Sequence, residues 1–353
     1  TLLSGNTLYI GGDFSYVGPN TGFGVPLDSA SGSPLASYPK VDGPVHAVVP
    51  DDSGGWYIGG LFQHVGGEAR GSIAHILDDY SVDLDWNPTV KGIVSALALS
   101  GNTVFAGGDF AKIDGQARNS IAALDATTGN LLDWDPNVSG WIYALAVKGG
   151  TVYAAGSFSA IGEQPRKNIA AMDATSGEVT PWNPSANYPV LALAVSGEMV
   201  YAGGTFTSIG GQPRNYVAAL DATSGEATSW NPDANNDVNA LAVNGETVYA
   251  GGWFTNIGGQ TRNRIAALDT SAGEATSWNP GADGKVSALG VDGETVYAGG
   301  DFANLGGPPR SRIAALDSAG NAPAWDPRAG DAVFALAVSG DTVDAGGRFY
   351  AHG

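Results

Sequence analysis

The chain contains no cysteine, and that absence removes several chemistries at once. Disulfides, thiolate metal sites and cysteine nucleophiles are excluded, while the compartment is left open. Charge is also scarce. Asp, Glu, Lys and Arg make up 14% of the residues, and the balance is one-sided, with 35 acids against 16 Lys and Arg. The resulting net charge of −19 repels polyphosphate, which makes nucleic acid a poor partner. No apolar run reaches the roughly 18 residues of a membrane-spanning helix. The opening "TLLSGNTLYIGG" lacks the charged start and long apolar stretch of a signal peptide. It begins inside a repeat, which predicts a mature or trimmed segment. Catalytic signatures are missing too. The four histidines (His46, His64, His75, His352) form no HExxH or close pair, and no GxSxG elbow, phosphate loop, dinucleotide fingerprint or DxDxDG calcium loop is present.

What the chain does have is glycine, 53 of 353 residues, and a beat. Phe14, Phe62, Phe110, Phe158, Phe206, Phe254 and Phe302 stand 48 residues apart, and Phe349 follows after 47. Trp86, Trp134, Trp182, Trp230, Trp278 and Trp325 keep the same step, with Tyr38 in the equivalent first position. Arg70, Arg118, Arg166, Arg214, Arg262 and Arg310 keep it as well. Three markers in one register establish an internal repeat, and a period of this size means a solenoid or a propeller.

Each unit divides into four short extended pieces, for example "VNALAV" (238–243), "TVYAGG" (247–252), "RIAALD" (264–269) and "EATSWNP" (274–280). None shows helical periodicity, and all are bounded by Gly, Asn, Asp, Ser or Pro. The Asp that ends the third piece (Asp125, Asp173, Asp221, Asp269, Asp317) is placed to cap the turn after it, and the glycine that follows accepts positive φ. Small residues dominate the first two pieces and Trp sits on the fourth, the size gradient of a wedge converging on an axis. The chain is therefore expected to be an all-β, seven-bladed propeller of four-stranded antiparallel blades, one domain over residues 1–353. "VFALAV" (333–338) is expected to close the ring. "TVDAGGRF" (342–349) then duplicates "TLYIGGDF" (7–14), and two copies cannot fill one slot. Asp344 replaces the aromatic of the other copies, and a carboxylate in an inter-blade core is costly. Residues 339–353 are accordingly expected to lie at the periphery, with an eighth, incomplete blade as the alternative.

The pattern "VYAGGxFxxIGGxxRxxIAALDxxTGexxxWNP" resembles the delta-60 repeat, a bacterial β-propeller family of secreted and surface-attached proteins, most faithfully over residues 94–327. The double glycine after an apolar strand is similar to kelch repeats. "AALDATSGEATSW" is similar to the tryptophan-docking segments of quinone-cofactor dehydrogenases. The resemblance implies a fold and a secreted or cell-surface setting, within a larger extracellular protein or assembly, but no agreed activity.

The repeated Trp residues are read as core, and each repeated Arg as a pin that ties its loop to carbonyls. No cofactor is expected; plentiful oxygen ligands leave a structural calcium ion open. Function belongs where the repeat is broken. The long loop after the double glycine and the crossover after Trp-Asn-Pro share one face, opposite the tight hairpin turns. Trp141, Tyr143, Tyr188 and Trp253 interrupt the repeat there, and Asp237 and Lys285 occupy the position of Trp141 in later units. These six are the candidate ligand-binding residues, and the expected role is a non-catalytic interaction or scaffold module for a glycan, peptide or protein. The alternative is a carbohydrate-active enzyme with acids converging on an axial funnel. Asp13, Asp109 and Asp301 share one repeat position but belong to different units, which argues against a catalytic pair.

Overall fold

Short apolar runs alternate with turns that favour Gly, Asn and Asp, and the structure follows that punctuation. The computed structural model describes residues 2–4, 7–9, 22–35 and 38–349; Asp13, Phe14 and His352 lie outside them. Among the described residues there is no helix, and seven antiparallel sheets are each built around three strands. The first joins Val45–Pro50, Trp56–Gly60 and Ile73–Ile76. The second joins Val90–Ser100, Thr103–Ile113 and Ile121–Asp125, and the third Val138–Lys148, Thr151–Ile161 and Ile169–Asp173. The fourth joins Val190–Ser196, Met199–Gly204 and Val217–Asp221, and the fifth Val238–Asn244, Thr247–Gly252 and Ile265–Asp269. The sixth consists of Val286–Asp292, Thr295–Gly300 and Ile313–Leu316.

The seventh sheet departs from expectation. Its innermost strand is Val333–Ser339, as expected, but its central strand is Thr342–Gly347, paired on the far side with Gly24–Asp28. The C-terminal copy is thus an integral strand rather than a peripheral one. The N-terminal copy instead forms a two-stranded hairpin, Leu2–Ser4 with Thr7–Tyr9. Pairing decides the outcome. Val25↔Ala345 and Leu27↔Val343 align so that Val25, Leu27, Val343 and Ala345 all join the core with Tyr297 and Trp325 of the sixth sheet. That burial outweighs the penalty of enclosing Asp344.

The expected fourth strand is also shorter than a ladder. In six of the described sheets it touches the third strand through a single bridge, such as Leu220↔Ala227 or Leu268↔Ala275. Proline after Trp-Asn ends the pairing because it has no N–H to donate. The outer tryptophan turns inward and locks its sheet to the next one. The indole Nε1 of Trp182 donates to the Asp221 carbonyl at 2.9 Å, that of Trp230 to Asp269 at 2.8 Å, and that of Trp325 to Asp28 at 3.0 Å. Each of these tryptophans is buried.

The innermost strands neighbour one another in chain order, and Val333–Ser339 packs beside Val45–Pro50. Each carries the same irregularity near its start. The register slips by one residue between Val238 and Ala240, between Ile142 and Ala144, and at the matching place in the other five. At this slip one residue of each strand is left without a partner, the signature of a β-bulge.

Candidate functional site

The repeated arginines prove to be pins. Arg262 donates from Nη1 to the Thr261 carbonyl and from Nη2 to that of Thr276; Arg166 does the same with Pro165 and Thr180. Each ties its long loop to the outer segment of its own sheet. The repeated aspartates cap turns. Asp221 Oδ1 accepts from the backbone N–H groups of Thr223 and Ser224, and those bonds hold its carboxyl below the usual range. With Trp, Arg and Asp committed to the scaffold, the irregular residues are left to form a site.

On the long-loop face, the crossover residue of each sheet meets the residue after the double glycine. Trp141 pairs with Ser157. Trp253 donates its N–H to the Asp237 carbonyl at 2.9 Å, and Asp301 does the same to Lys285 at 2.9 Å. Asp237 and Trp253 are thus direct neighbours, and the candidates Trp141, Tyr188, Asp237, Trp253 and Lys285 lie along an arc of the third to sixth sheets. Trp141 is 51% exposed, Tyr188 57% and Trp253 44%. Tyr143 differs: it is half-buried and lines the axial cavity. Burial, with a contribution from Asp109, raises its phenol above the ordinary value. Leu61 occupies the Trp253 position in the first sheet and is 50% exposed. Its place after the double glycine was the signal that could have identified it.

A groove of about 530 Å³ opens between the second and third sheets, lined by Lys91, Asp109, Asn119, Asn137, Ser139 and Trp141. It exists because these two sheets extend further. Gly92 and Gly140 take φ of 143° and 140°, and a Cβ there would meet the Asp109 and Ser157 carbonyl oxygens at 2.2 and 2.3 Å. Only glycine lets the innermost strand pass so close to its partner. Asn119 Nδ2 donates to Asn137 Oδ1 at 2.7 Å across the groove floor, which keeps both amides fixed and leaves the Trp141 ring as a wall.

On the opposite face, sequence reasoning missed a polar cluster in the first sheet. His75 stands where later copies have alanine, and is only 7% exposed. Its Nδ1 lies 2.9 Å from Asp83 Oδ2 and its Nε2 3.1 Å from Asp51 Oδ2, while its ring stacks on Tyr57 at 4.3 Å. Burial would raise both carboxyls; for Asp51 hydrogen bonds from Ser53, His75 and Gly55, and for Asp83 those from His75, Trp86 and Asp85, outweigh it and lower them. The cluster ties the first hairpin turn, the third strand and the outer segment together. Among the described residues no group of three or more His, Asp or Glu side chains is arranged to hold a metal ion. None of the described helices could cross a membrane, since there are none.

The architecture has solved counterparts. The WD40 β-propeller domain of Doa1 superposes with a TM-score of 0.61 at 12% identity, over 91% of this chain and 96% of that one. The computationally designed protein Ika8 gives 0.55 at 16% identity, over 88% and 96%. Identities this low carry the propeller fold alone. No curated protein sequence matches the chain significantly. A sequence family does: the one described as outer membrane protein assembly factor BamB matches residues 71–327, well over half of the chain. The chain is a β-propeller repeat protein that belongs to the BamB family.

Proposed function

We propose that this protein is a non-catalytic binding module, a closed seven-bladed propeller with repeats of the delta-60 type, which grips a protein or glycan ligand on its long-loop face. The observation that carries the reading is the exposure of Trp141, Tyr188 and Trp253, at 51, 57 and 44%, in a chain whose repeated tryptophans are buried. Large aromatics left in water on one rim, with Asp237 and Lys285 beside them, have the make-up of an interface anchor set. The family description, an assembly factor, favours a protein segment as the ligand. Packing of the last innermost strand against the first supports closure, and seven sheets support seven blades. We place it in a secreted or cell-surface setting, in a bacterium and within a larger assembly, on the strength of the delta-60 resemblance.

The test is selection of binders from a phage-displayed random peptide library in parallel with a glycan array. Ligands obtained on the native protein are expected to lose at least about tenfold in affinity on a Trp141→Ala/Trp253→Ala double variant, or roughly 1.4 kcal/mol. Ligands that bind the double variant unchanged would place the working surface elsewhere.

A further inference from the structure

The residue left unpaired by each bulge is where the repeat stops repeating. In all seven copies the residue before it is valine or isoleucine and the residue after it is alanine. The bulged residue itself is His46, Ser95, Tyr143, Leu191, Asn239, Ser287 and Phe334 in turn. A position set by packing alone would be as uniform as its neighbours. A bulge re-aims one side chain, and six of these seven line a cavity of about 250 Å³ encircled by the innermost strands.

The lining has two halves. His46 and Phe334 stack at 5.4 Å with 13° between their planes, forming a flat wall. Burial holds the His46 imidazole below its usual value, and burial with Asp109 raises the Tyr143 phenol, so both are uncharged near neutral pH. Opposite them, Asn239 lines the cavity, and its side-chain oxygen accepts no hydrogen bond within the fold. Ser95 and Ser287 add hydroxyl groups. No carboxylate, ammonium or guanidinium is among the lining residues, so a charged ligand would be desolvated without a partner. The volume lies just below the roughly 300–1,000 Å³ of drug-sized sites, a size that suits a single ring.

We propose that the axial cavity binds a single uncharged sugar ring, its C–H face against the His46–Phe334 wall and its hydroxyls donated to Asn239 and shared with Tyr143, Ser95 and Ser287. The site uses none of Trp141, Tyr188 or Trp253, so it stands apart from the outer-face reading. Saturation-transfer NMR and calorimetry with glucose, galactose, mannose and N-acetylglucosamine test it, with glucuronate as the charged comparison. At least one neutral sugar is expected to bind with a Kd of about 1 mM or tighter, and glucuronate is expected not to bind. Asn239→Ala should weaken binding at least about tenfold, and Ser95→Trp, which fills the cavity, should abolish it. The Trp141→Ala/Trp253→Ala variant should bind the sugar unchanged. Thermal melts establish which variants are folded, and Phe334→Leu, expected to weaken binding by removing the stacked wall, replaces any that is not. The proposal is overturned if no neutral sugar binds, if binding survives in a folded Ser95→Trp protein, or if the outer-face double variant abolishes it.

Discussion

Asp344 is the residue whose replacement tests the seventh sheet most directly. It is 2% exposed, and neither of its carboxyl oxygens has a hydrogen-bond partner. On its own sheet it lies beside Ala337 and Pro26, and proline has no N–H to offer. The other six sheets carry an aromatic at this position, packed on the tryptophan of the same sheet: Tyr201 on Trp230 at 5.2 Å and Tyr297 on Trp325 at 5.3 Å are typical. The seventh sheet has Asp344 and Tyr38 instead, so this seam lacks both the aromatic pair and an indole latch. Burial pushes the Asp344 carboxyl well above its ordinary value of 3.8, and burial with Asp344 pushes the Tyr38 phenol up.

The sign of the pH dependence follows. The folded-state group titrates above the unfolded one, so its contribution is intact below pH 3.8 and is lost as pH rises toward the raised value. Each pH unit over which it stays neutral while the unfolded chain ionises removes about 1.4 kcal/mol. Asp344→Val, a strand former of similar size, abolishes that term. Urea melts of both proteins should therefore diverge as pH rises above 3.8, the variant gaining steadily on the native chain. A difference that stays flat across this range would refute the reasoning. The carboxyl would then be ionised in the fold, and Thr342–Gly347 would not be the buried central strand; the N-terminal copy, with Tyr9 at the matching position, would be the alternative occupant.

Three further outcomes follow from the scaffold. Trp230→Ala removes a 3% exposed indole and its bond to Asp269, and should cost roughly 3–5 kcal/mol in a denaturant melt; a loss under about 1 kcal/mol would mean that the inter-sheet latch is illusory. His75→Gln leaves Asp51 and Asp83 without a common hydrogen-bond partner and should cost roughly 1–3 kcal/mol at neutral pH. Because both carboxyls are lowered, their contribution is present above pH 3.8 and lost as pH falls below it, so the variant should show a smaller acid-induced loss than the native chain. Gly140→Val drives a Cβ into the Ser157 carbonyl at a φ of 140°, and should cost roughly 1–3 kcal/mol while quenching any ligand response in the groove beside Trp141.

The fold was legible because its joints are side chains repeated in register. Trp, Arg and the turn-capping Asp each make the same bond in nearly every unit, and a bond that recurs every 48 residues leaves a mark in the sequence. The partner of Gly24–Asp28 was not legible in the same way. Two near-identical strands, 7–14 and 342–349, compete for one slot, and the local penalty at Asp344 pointed to the wrong one. What decides between them is non-local: alignment of Val343 and Ala345 with Val25 and Leu27 against the sixth sheet. Of the candidate site, Trp141, Tyr188 and Trp253 were recognisable as aromatics that interrupt the repeat. His75 was missed because one histidine in a strand of small residues carries no spacing signal, and its partners come from 24 and 8 residues away.

The bulge explains why Tyr143 behaves unlike the other candidates, and it locates function within the repeat. Regular alternation along "VSALALS" or "VNALAVN" predicts that a side chain next to a buried valine faces the opposite side of the sheet. One extra residue breaks that rule, since the valine and the alanine flanking the bulge both pair while the residue between them does not. The scaffold thereby gains seven positions that no ladder pairing constrains, six of them lining the axial cavity. The rim provides a second varied set at the residue after the strand-ending glycine, which is Leu61, Asp109, Ser157, Thr205, Trp253, Asp301 or Arg348. Everything between these two rings is held by the repeat. A change of ligand could therefore be written at the bulge and the rim without touching one Trp, Arg or Asp that holds the sheets together.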